Sequence, residues 1–284
     1  MSYTLKELYF DLRNSLKEHS VQAPDITARE LIKNTIDVAD IDMIIRSEKV
    51  VAKSTQQKIN SYMERHIKGE PTSRIFGERE FWGLPFKITP DVLDPRADTE
   101  TIIEAAIRAF VGDPPLSVLD LGTGSGCIII SLLTEWQRTK GVGVDVSAKA
   151  LEVASLNAQM HKVDNRLTLV ESNWCENLNG KYDLIVSNPP YISNQEITNL
   201  PTNVKNYDPI LALEGGEDGL SCYRSILTEI KNLLNPHGKV FLEVGYSQAE
   251  DVSRLVEESG LFVIGTHADI AGIPRVVEIS FGEK

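Results

Sequence analysis

The stretch that most restricts the fold is an apolar run, Ser117-Val118-Leu119-Asp120-Leu121, followed at once by Gly122-Thr123-Gly124-Ser125-Gly126 and then by a helical segment from Ile128 to Trp136. A buried strand, a glycine turn and a helix in direct succession are the unit of α/β sheets. The alternation continues. Gly141 to Val146 reads as a second strand carrying Asp145 near its end, and Ser147 caps a helix through Ala154, Leu156 and Asn157. Leu167 to Glu171, Tyr182 to Ser187 and Lys239 to Val244 give three more strands. The spacing predicts a mostly parallel sheet with helices on both faces. Leu261 to Thr266 and Arg275 to Phe281 are joined by too few residues for a crossover helix, so they should form an antiparallel hairpin at one sheet edge.

The glycine turn constrains the ligand. A dinucleotide fingerprint carries its third glycine at the sixth position. Here that position is Cys127, and the glycines fall at the first, third and fifth. This disfavours a nicotinamide oxidoreductase. No P-loop lysine follows, so a phosphate is not expected. Three glycines in five residues allow a sharp turn and close approach of backbone to a ligand. Asp145, at the end of the next strand, is placed to accept hydrogen bonds from both hydroxyls of a ribose. A ribose without a pyrophosphate fits S-adenosylmethionine.

Asn188-Pro189-Pro190-Tyr191 follows the fourth strand directly. Two prolines stop pairing and fix an extended corner, so its carbonyls are not all used by secondary structure. A planar NH2 group matches such a corner: the Asn188 side-chain oxygen and the Pro189 carbonyl can each accept one hydrogen, and the Tyr191 ring can lie against its plane. A strand-ending turn is the alternative for these four residues by themselves.

Before Ser117 the chain changes character. Thr4-Leu5-Lys6-Glu7 is a capping box ahead of Leu5, Leu8, Tyr9, Leu12 and Leu16 on one helical face. Asp25 is expected to cap a second helix, and Ser54-Thr55-Gln56-Gln57 to box a further one ending at Gly69. Residues 1–75 thus form a small helical bundle, and its His66, like His161 further on, is expected to be an ordinary helix residue. A hairpin with a Gly-Leu-Pro turn, within residues 76–95, should link it to a catalytic domain over residues 96–284, whose first helix Asp98 or Thr99 can cap. The net charge of −12 disfavours nonspecific attraction to nucleic acid or anionic membranes. The three cysteines show no metal or redox spacing, which fits a reducing cytosol, and no metal site is expected. No apolar run approaches membrane-spanning length and no signal peptide is visible, so a cytoplasmic monomer is expected.

Asp120 to Gly126 with Asp145 resembles the Rossmann-like class I S-adenosylmethionine-dependent methyltransferases, and Asn188-Pro189-Pro190-Tyr191 is the motif of those that methylate planar amino or amide nitrogens. Further stretches narrow the resemblance. They are Arg79 to Leu84, Val92 to Arg96, Ser172-Asn173-Trp174, Gly215 to Leu220 with Tyr223-Arg224, Leu242 to Gly245, and Asp269 to Gly272 with Arg275-Val276. Together with the helical bundle they are similar to the peptide chain release factor glutamine methyltransferase family. Asp94, Ala97 and Asp98 depart from that family's Pro-Arg-Pro-Glu-Thr-Glu pattern, and Asn173 stands where many members have Asp.

The resemblance implies methyl transfer to the side-chain amide of the glutamine in the Gly-Gly-Gln motif of class I release factors. It implies that Gly122, Thr123, Gly124, Ser125 and Gly126 cradle the methionine part of the cofactor, that Asp145 holds its ribose, and that Trp174 packs near its adenine, with Asn188 bordering it. Asn188, Pro189, Pro190 and Tyr191 would bind the substrate amide, and Asn188, Pro189 and Tyr191 would act in catalysis. The bundle would recognise the protein substrate. Two other readings stay open at this stage. One is a methyltransferase acting on the exocyclic amine of a nucleic-acid base, against which the acidic charge and the lack of a basic stretch argue. The other is a non-catalytic S-adenosylmethionine-binding module, which would be expected to have lost Asn188 or Asp145.

Overall fold

The computed structural model describes residues 3–36, 38, 41, 45–176 and 178–282. The chain forms two compact units, Met1–Gly77 and Glu78–Lys284.

In the first unit, α1 (Leu5–Glu18) starts at the expected capping box: Thr4 accepts from the Glu7 N–H and the Glu7 carboxylate accepts from the Thr4 N–H. Its Leu5, Leu8, Leu12 and Leu16 form the core with Ala28, Leu31 and Ile32 of α2 (Pro24–Ile36) and Ile59 of α3 (Lys53–Ile67). Two expected caps are not caps. Asp25 lies inside the first turn of α2, where its carboxylate accepts from the Tyr9 hydroxyl at 2.8 Å and Arg13 Nε at 2.6 Å. The Ser54 box does not form either, because α3 begins at Lys53 and the buried Gln56 instead donates to the Val51 carbonyl at 2.7 Å. A short helix α4 (Thr72–Phe76) closes the unit at Gly77.

The second unit opens with a hairpin, β1 (Glu78–Phe81) and β2 (Leu84–Lys87). Its turn is Trp82-Gly83, both at positive φ, rather than Gly-Leu-Pro; Leu84 and Pro85 are strand residues. Nor is it a linker. Phe81 and Phe86 are buried in the same core cluster as Ile102, Ile129 and Leu132, and burial of this kind ties the hairpin to the catalytic unit. His161 supports it from outside, its Nε2 2.7 Å from the Pro85 carbonyl.

Then follow α5 (Glu100–Ala109), β3 (Ser117–Leu121), α6 (Cys127–Glu135), β4 (Lys140–Asp145), α7 (Ala148–Met160), β5 (Leu167–Glu171) and β6 (Tyr182–Ser187). Two short helices, α8 (Asn194–Ile197) and α9 (Thr202–Lys205), precede α10 (Ser221–Leu233), β7 (Leu234–Glu243), α11 (Ala249–Glu258), β8 (Phe262–Ala268) and β9 (Pro274–Ser280). The sheet order is β5-β4-β3-β6-β7-β9-β8. Strands β3 to β7 run parallel, and the closing hairpin β8–β9 is antiparallel at one edge, as the short connection required. Helices α5 and α6 cover one face and α10 and α11 the other. The chain moves outward from β3 to β5, then returns to place β6 on the other side of β3. That reversal opens a crevice beyond the carboxyl ends of β3 and β6, where α/β sheets hold their ligands. Among the described residues no helix is long and apolar enough to cross a membrane.

Candidate active site

The crevice is a cleft of about 360 Å³. Gly122, Thr123, Gly124, Ser125, Asp145, Trp174, Asn188 and Pro190 all line it, so residues that the sequence places far apart converge on one site. Gly126, Pro189 and Tyr191 lie outside the lining.

The glycine side is built mainly from backbone. Asp120 is fully buried at the end of β3, and the Thr123 hydroxyl donates to its Oδ2 at 2.7 Å. Its Oδ1 meets no hydrogen-bond partner among the described residues. Burial, against the Thr123 bond and with help from the nearby Asp145 charge, pushes the Asp120 carboxyl up to about 7. The Thr123 N–H donates to the Val144 carbonyl, and the Gly124 N–H donates to Asp145 Oδ2 at 2.9 Å. The Ser147 N–H donates to Asp145 Oδ1, also at 2.9 Å. Asp145 therefore pins the loop through both carboxylate oxygens, and burial raises its pKa in spite of these bonds. Gly126 has a packing role: at φ +80 it starts α6, and a Cβ there would lie 2.8 Å from Ile130 Cδ1 and 3.3 Å from Ala154 Cβ.

The other side is built from side chains. Asn188 Nδ2 donates to Thr99 Oγ1 at 3.1 Å. Thr99 had been expected as a helix cap. Residues Ala97–Thr99 instead form a 3-10 turn with no side-chain cap, which leaves the hydroxyl for Asn188. The turn is tied down by Arg275, paired with Asp98 at 2.8 Å and with Asp269 at 2.9 Å. The carbonyls of Asn188, Pro189 and Pro190 receive no turn or loop N–H among the described residues. The Tyr191 carbonyl does have a donor, Gln248 Nε2 at 2.9 Å. The Tyr191 ring packs against the core cluster beneath α10 and α11, and burial raises its hydroxyl pKa. Gly215 faces the Tyr191 backbone so closely that a Cβ would stand 2.8 Å from Tyr191 Cα.

Several site residues carried no signal by themselves. Glu243 is 1% exposed at the end of β7, and burial moves it up to about 7 although Thr99, Arg275 and Asn188 draw it down. Its sequence marks are an acid near the end of an apolar strand and its place in the Leu242 to Gly245 stretch, neither of which assigns it a role. Asn157, fully buried on α7, donates to the carbonyls of Lys87 and Ser125 and accepts from the Lys87 N–H, joining β2 to the glycine loop. Arg96 pairs with the buried Asp208 at 2.6 Å, and Asp208 also accepts from the Asp94 N–H. This gives the divergent Asp94-Pro95-Arg96-Ala97 segment a place: it is clamped to the turn carrying Pro209 and Leu211, which also line the cleft.

The cleft suits S-adenosylmethionine better than a nucleotide. Each Asp145 oxygen accepts one backbone N–H and keeps lone pairs for a diol. A Cβ on Gly122 would lie 3.5 Å from the Trp174 ring, whereas one on Gly124 would meet nothing, so indole and bare backbone bound an open slot. Arg96 and its partner Asp208 leave the lining without an uncompensated arginine to attract a pyrophosphate among the described residues. No group of three His, Cys, Asp or Glu among the described residues is arranged to hold a metal ion.

Known proteins resemble the chain along its length. The Methyltransferase small domain matches residues 105–204, and the PrmC N-terminal domain matches residues 7–77. The release factor glutamine methyltransferase of Agrobacterium fabrum is 37% identical over 269 residues, covering 93% of each chain. That of Caulobacter vibrioides is 34% identical over 278 residues, covering 98% of this chain and 96% of its own. A solved methyltransferase from Pyrococcus furiosus has a TM-score of 0.55 at 18% identity, covering 78% of this chain and 99% of its own, a likeness of fold.

Proposed function

Since the chain belongs to the release factor glutamine methyltransferase family, we propose that it methylates the side-chain amide nitrogen of the glutamine in the Gly-Gly-Gln motif of class I peptide chain release factors, using S-adenosyl-L-methionine. The observation that carries this reading is the convergence of Asn188 with Gly122, Asp145 and Trp174 on one cleft. Bound there, S-adenosylmethionine supplies an electrophilic methyl group. The glycine loop and Asp145 would hold the cofactor's polar parts, and Trp174 would lie by its adenine.

An amide nitrogen is a poor nucleophile because its lone pair is delocalised into the carbonyl. The chain's task is to hold that nitrogen in line, which can lower a barrier by several kcal/mol. Asn188 Oδ1 and the Pro189 carbonyl accept the two amide hydrogens. The same oxygens stabilise the positive charge that grows on nitrogen during transfer. The amide proton then leaves to solvent. Tyr191 had been expected to stack on the substrate. Its ring packs instead against the core cluster beneath α10 and α11, so its part is to anchor the corner through its backbone, held by Gln248 and Gly215. Pro190 lines the cleft and supplies apolar contact to the glutamine stem. The helical unit recognises the release factor, and a substrate from the translation machinery places the reaction in the cytoplasm.

The test is to incubate the protein with a class I release factor and isotopically labelled cofactor and to map the methyl group by mass spectrometry. Label on the glutamine of Gly-Gly-Gln is the expected result. Label on another side chain, or on nucleic acid alone, overturns the reading.

A further inference from the structure

Asn188 can serve as acceptor only if its amide is turned one way round. An amide presents one oxygen and one NH2, and their places are set by the groups behind them. The groups behind Asn188 come from two distant segments. Thr99 Oγ1 accepts from Nδ2 at 3.1 Å. A hydroxyl that accepts there has its own hydrogen left to donate, and the Thr99 and Asn188 side chains both lie near enough to the Glu243 carboxyl to draw its pKa down. Strand register explains the meeting: Ser187 pairs with Leu242, so Asn188 and Glu243 are the next residues on neighbouring parallel strands. Glu243 is 1% exposed, and its Oε2 meets no partner among the described residues.

We propose that Glu243 is a positioning residue for methyl transfer: as a buried acceptor behind Thr99 it takes both N–H directions inward and so keeps Asn188 Oδ1 toward the cleft. The inference rests on the role given to Asn188 above. A carboxylate cannot donate, so it excludes the flipped amide, in which Oδ1 would face a bare negative charge. A protonated Glu243 can donate to Thr99. The Thr99 hydroxyl is then able to turn toward Asn188 Oδ1, which presents NH2 to the substrate instead of an acceptor. The proton on Glu243 thus selects between a competent and an incompetent amide.

The titratable groups facing Glu243 are Arg275 on β9, Asp98 on the 3-10 turn, Tyr191 after β6, Tyr223 on α10 and Cys127 on α6. Arg275 stays cationic and is paired with Asp98. Burial raises both tyrosines and pushes the Cys127 thiol up to about 12, so these three stay neutral where Glu243 titrates.

The experiment measures single-turnover methylation of a release factor, with saturating cofactor, across pH for wild type, Glu243→Gln, Glu243→Asp, Thr99→Val, Thr99→Ser and Asn188→Ala. The wild-type rate should fall as pH drops through about 7. Glu243→Gln should lower the rate roughly 10- to 100-fold, the scale found when outer-shell partners of metal ligands are removed. It should also erase that acid limb while leaving cofactor affinity within about twofold, since only a few tenths of a kcal/mol separate such affinities. Glu243→Asp should recover part of the rate, and Thr99→Ser should rescue what Thr99→Val loses. A Glu243→Gln protein with the wild-type rate and acid limb overturns the positioning role. Should Glu243→Gln fail to fold, Thr99→Val decides: a wild-type rate overturns the proposal, and a loss rescued by Thr99→Ser supports it. Asn188→Ala separates the two readings. If it stays within a few-fold of wild type, the assignment of Asn188 itself falls; if it is inactive while Glu243→Gln is normal, only the positioning role falls.

Discussion

The two walls of the cleft each carry a buried acid with a threonine hydroxyl beside it, yet they are assembled by opposite means. Asp120 takes Thr123, three residues on, inside one strand-and-turn unit. Glu243 stands beside Thr99, which comes from a turn far back in the chain, and Asn188, from a third segment, donates to the Thr99 hydroxyl. Both carboxyls are pushed up to about 7, and each keeps one oxygen without a partner among the described residues. The first wall is local, and apart from the Asp145 carboxylate and the Trp174 ring the groups it turns to the cleft are mainly backbone. The second is a tertiary assembly that turns one polar side chain, the Asn188 amide, to the cleft beside the proline corner. A local wall built from backbone suits holding a cofactor. A wall of coupled side chains suits chemistry, where one misplaced amide costs more than one lost contact.

That difference predicts its largest effect at Asn188. Asn188→Ala should lower the single-turnover rate by about two to three orders of magnitude, the scale of one preorganised hydrogen-bonding group. Cofactor affinity should change little, so the loss should appear in kcat rather than in binding. Asn188→Asp keeps an acceptor but brings a second carboxylate beside Glu243, and should fall between Asn188→Ala and wild type. If Asn188→Ala weakened cofactor binding as much as it slowed transfer, the division into two walls would fail.

On the first wall, Asp145→Ala should weaken S-adenosylmethionine binding by roughly 2–3 kcal/mol, as expected for lost hydrogen bonds to a charged group. Part of that loss comes from the loop, because Asp145 also holds the N–H groups of Gly124 and Ser147. Calorimetry with Asp145→Asn sharpens the point. Asn keeps acceptor capacity on one oxygen only, so an intermediate affinity is expected, and unchanged affinity in either variant would remove Asp145 from the site.

The same contrast governs what the sequence made legible. Gly122 to Ser125 and Asp145 lie in two successive strand–turn units, so their spacing alone placed them on one crevice. Asn188 was legible because prolines cannot extend a strand. Thr99 was visible only as a candidate cap, since nothing in its neighbourhood shows that Arg275 will hold Asp98 and turn Thr99 toward β6. Glu243 needs the β6–β7 register to acquire meaning. In the sequence the hairpin reads as a linker, because two short strands give no hint that Phe81 and Phe86 belong to the sheet's own core.

The paired acids also predict a pH effect on the stability of the ligand-free protein. Asp120 rises from 3.8 to about 7 and Glu243 from 4.5 to about 7 on folding. Between those values the folded chain binds more protons than the unfolded one, so stability falls as pH rises. The contribution is fully present below the unfolded values and is lost as pH climbs through about 7. Its size should be on the order of 3–4 kcal/mol at each site. Denaturant melts at several pH values should show a flatter profile for Asp120→Asn and for Glu243→Gln than for wild type. A profile unchanged by either substitution would mean that these acids ionise alike in both states.

The smallest effect is expected just outside the second wall, at Arg224. Its guanidinium forms an ion pair with Asp218, and hydrogen bonds from Arg224 and the Leu220 N–H hold the Asp218 carboxyl down to about 2. Both side chains are about half exposed, at 48% each, so solvent and salt screen the pair. The neighbouring Gly215 and Gly219 are different: a Cβ on either would press on the Tyr191 backbone, at Cα for Gly215 and at the carbonyl oxygen for Gly219. The structural weight of the Gly215 to Leu220 stretch therefore rests on its glycines, which set the corner carrying Asn188. Arg224→Ala should change unfolding free energy by less than about 0.5 kcal/mol near neutral pH and leave the methylation rate within about twofold. The stability that the pair does contribute should vanish only as pH falls through the window from 3.8 to about 2. A large loss of methylation with normal stability would place Arg224 in contact with the protein substrate and extend the second wall onto the surface.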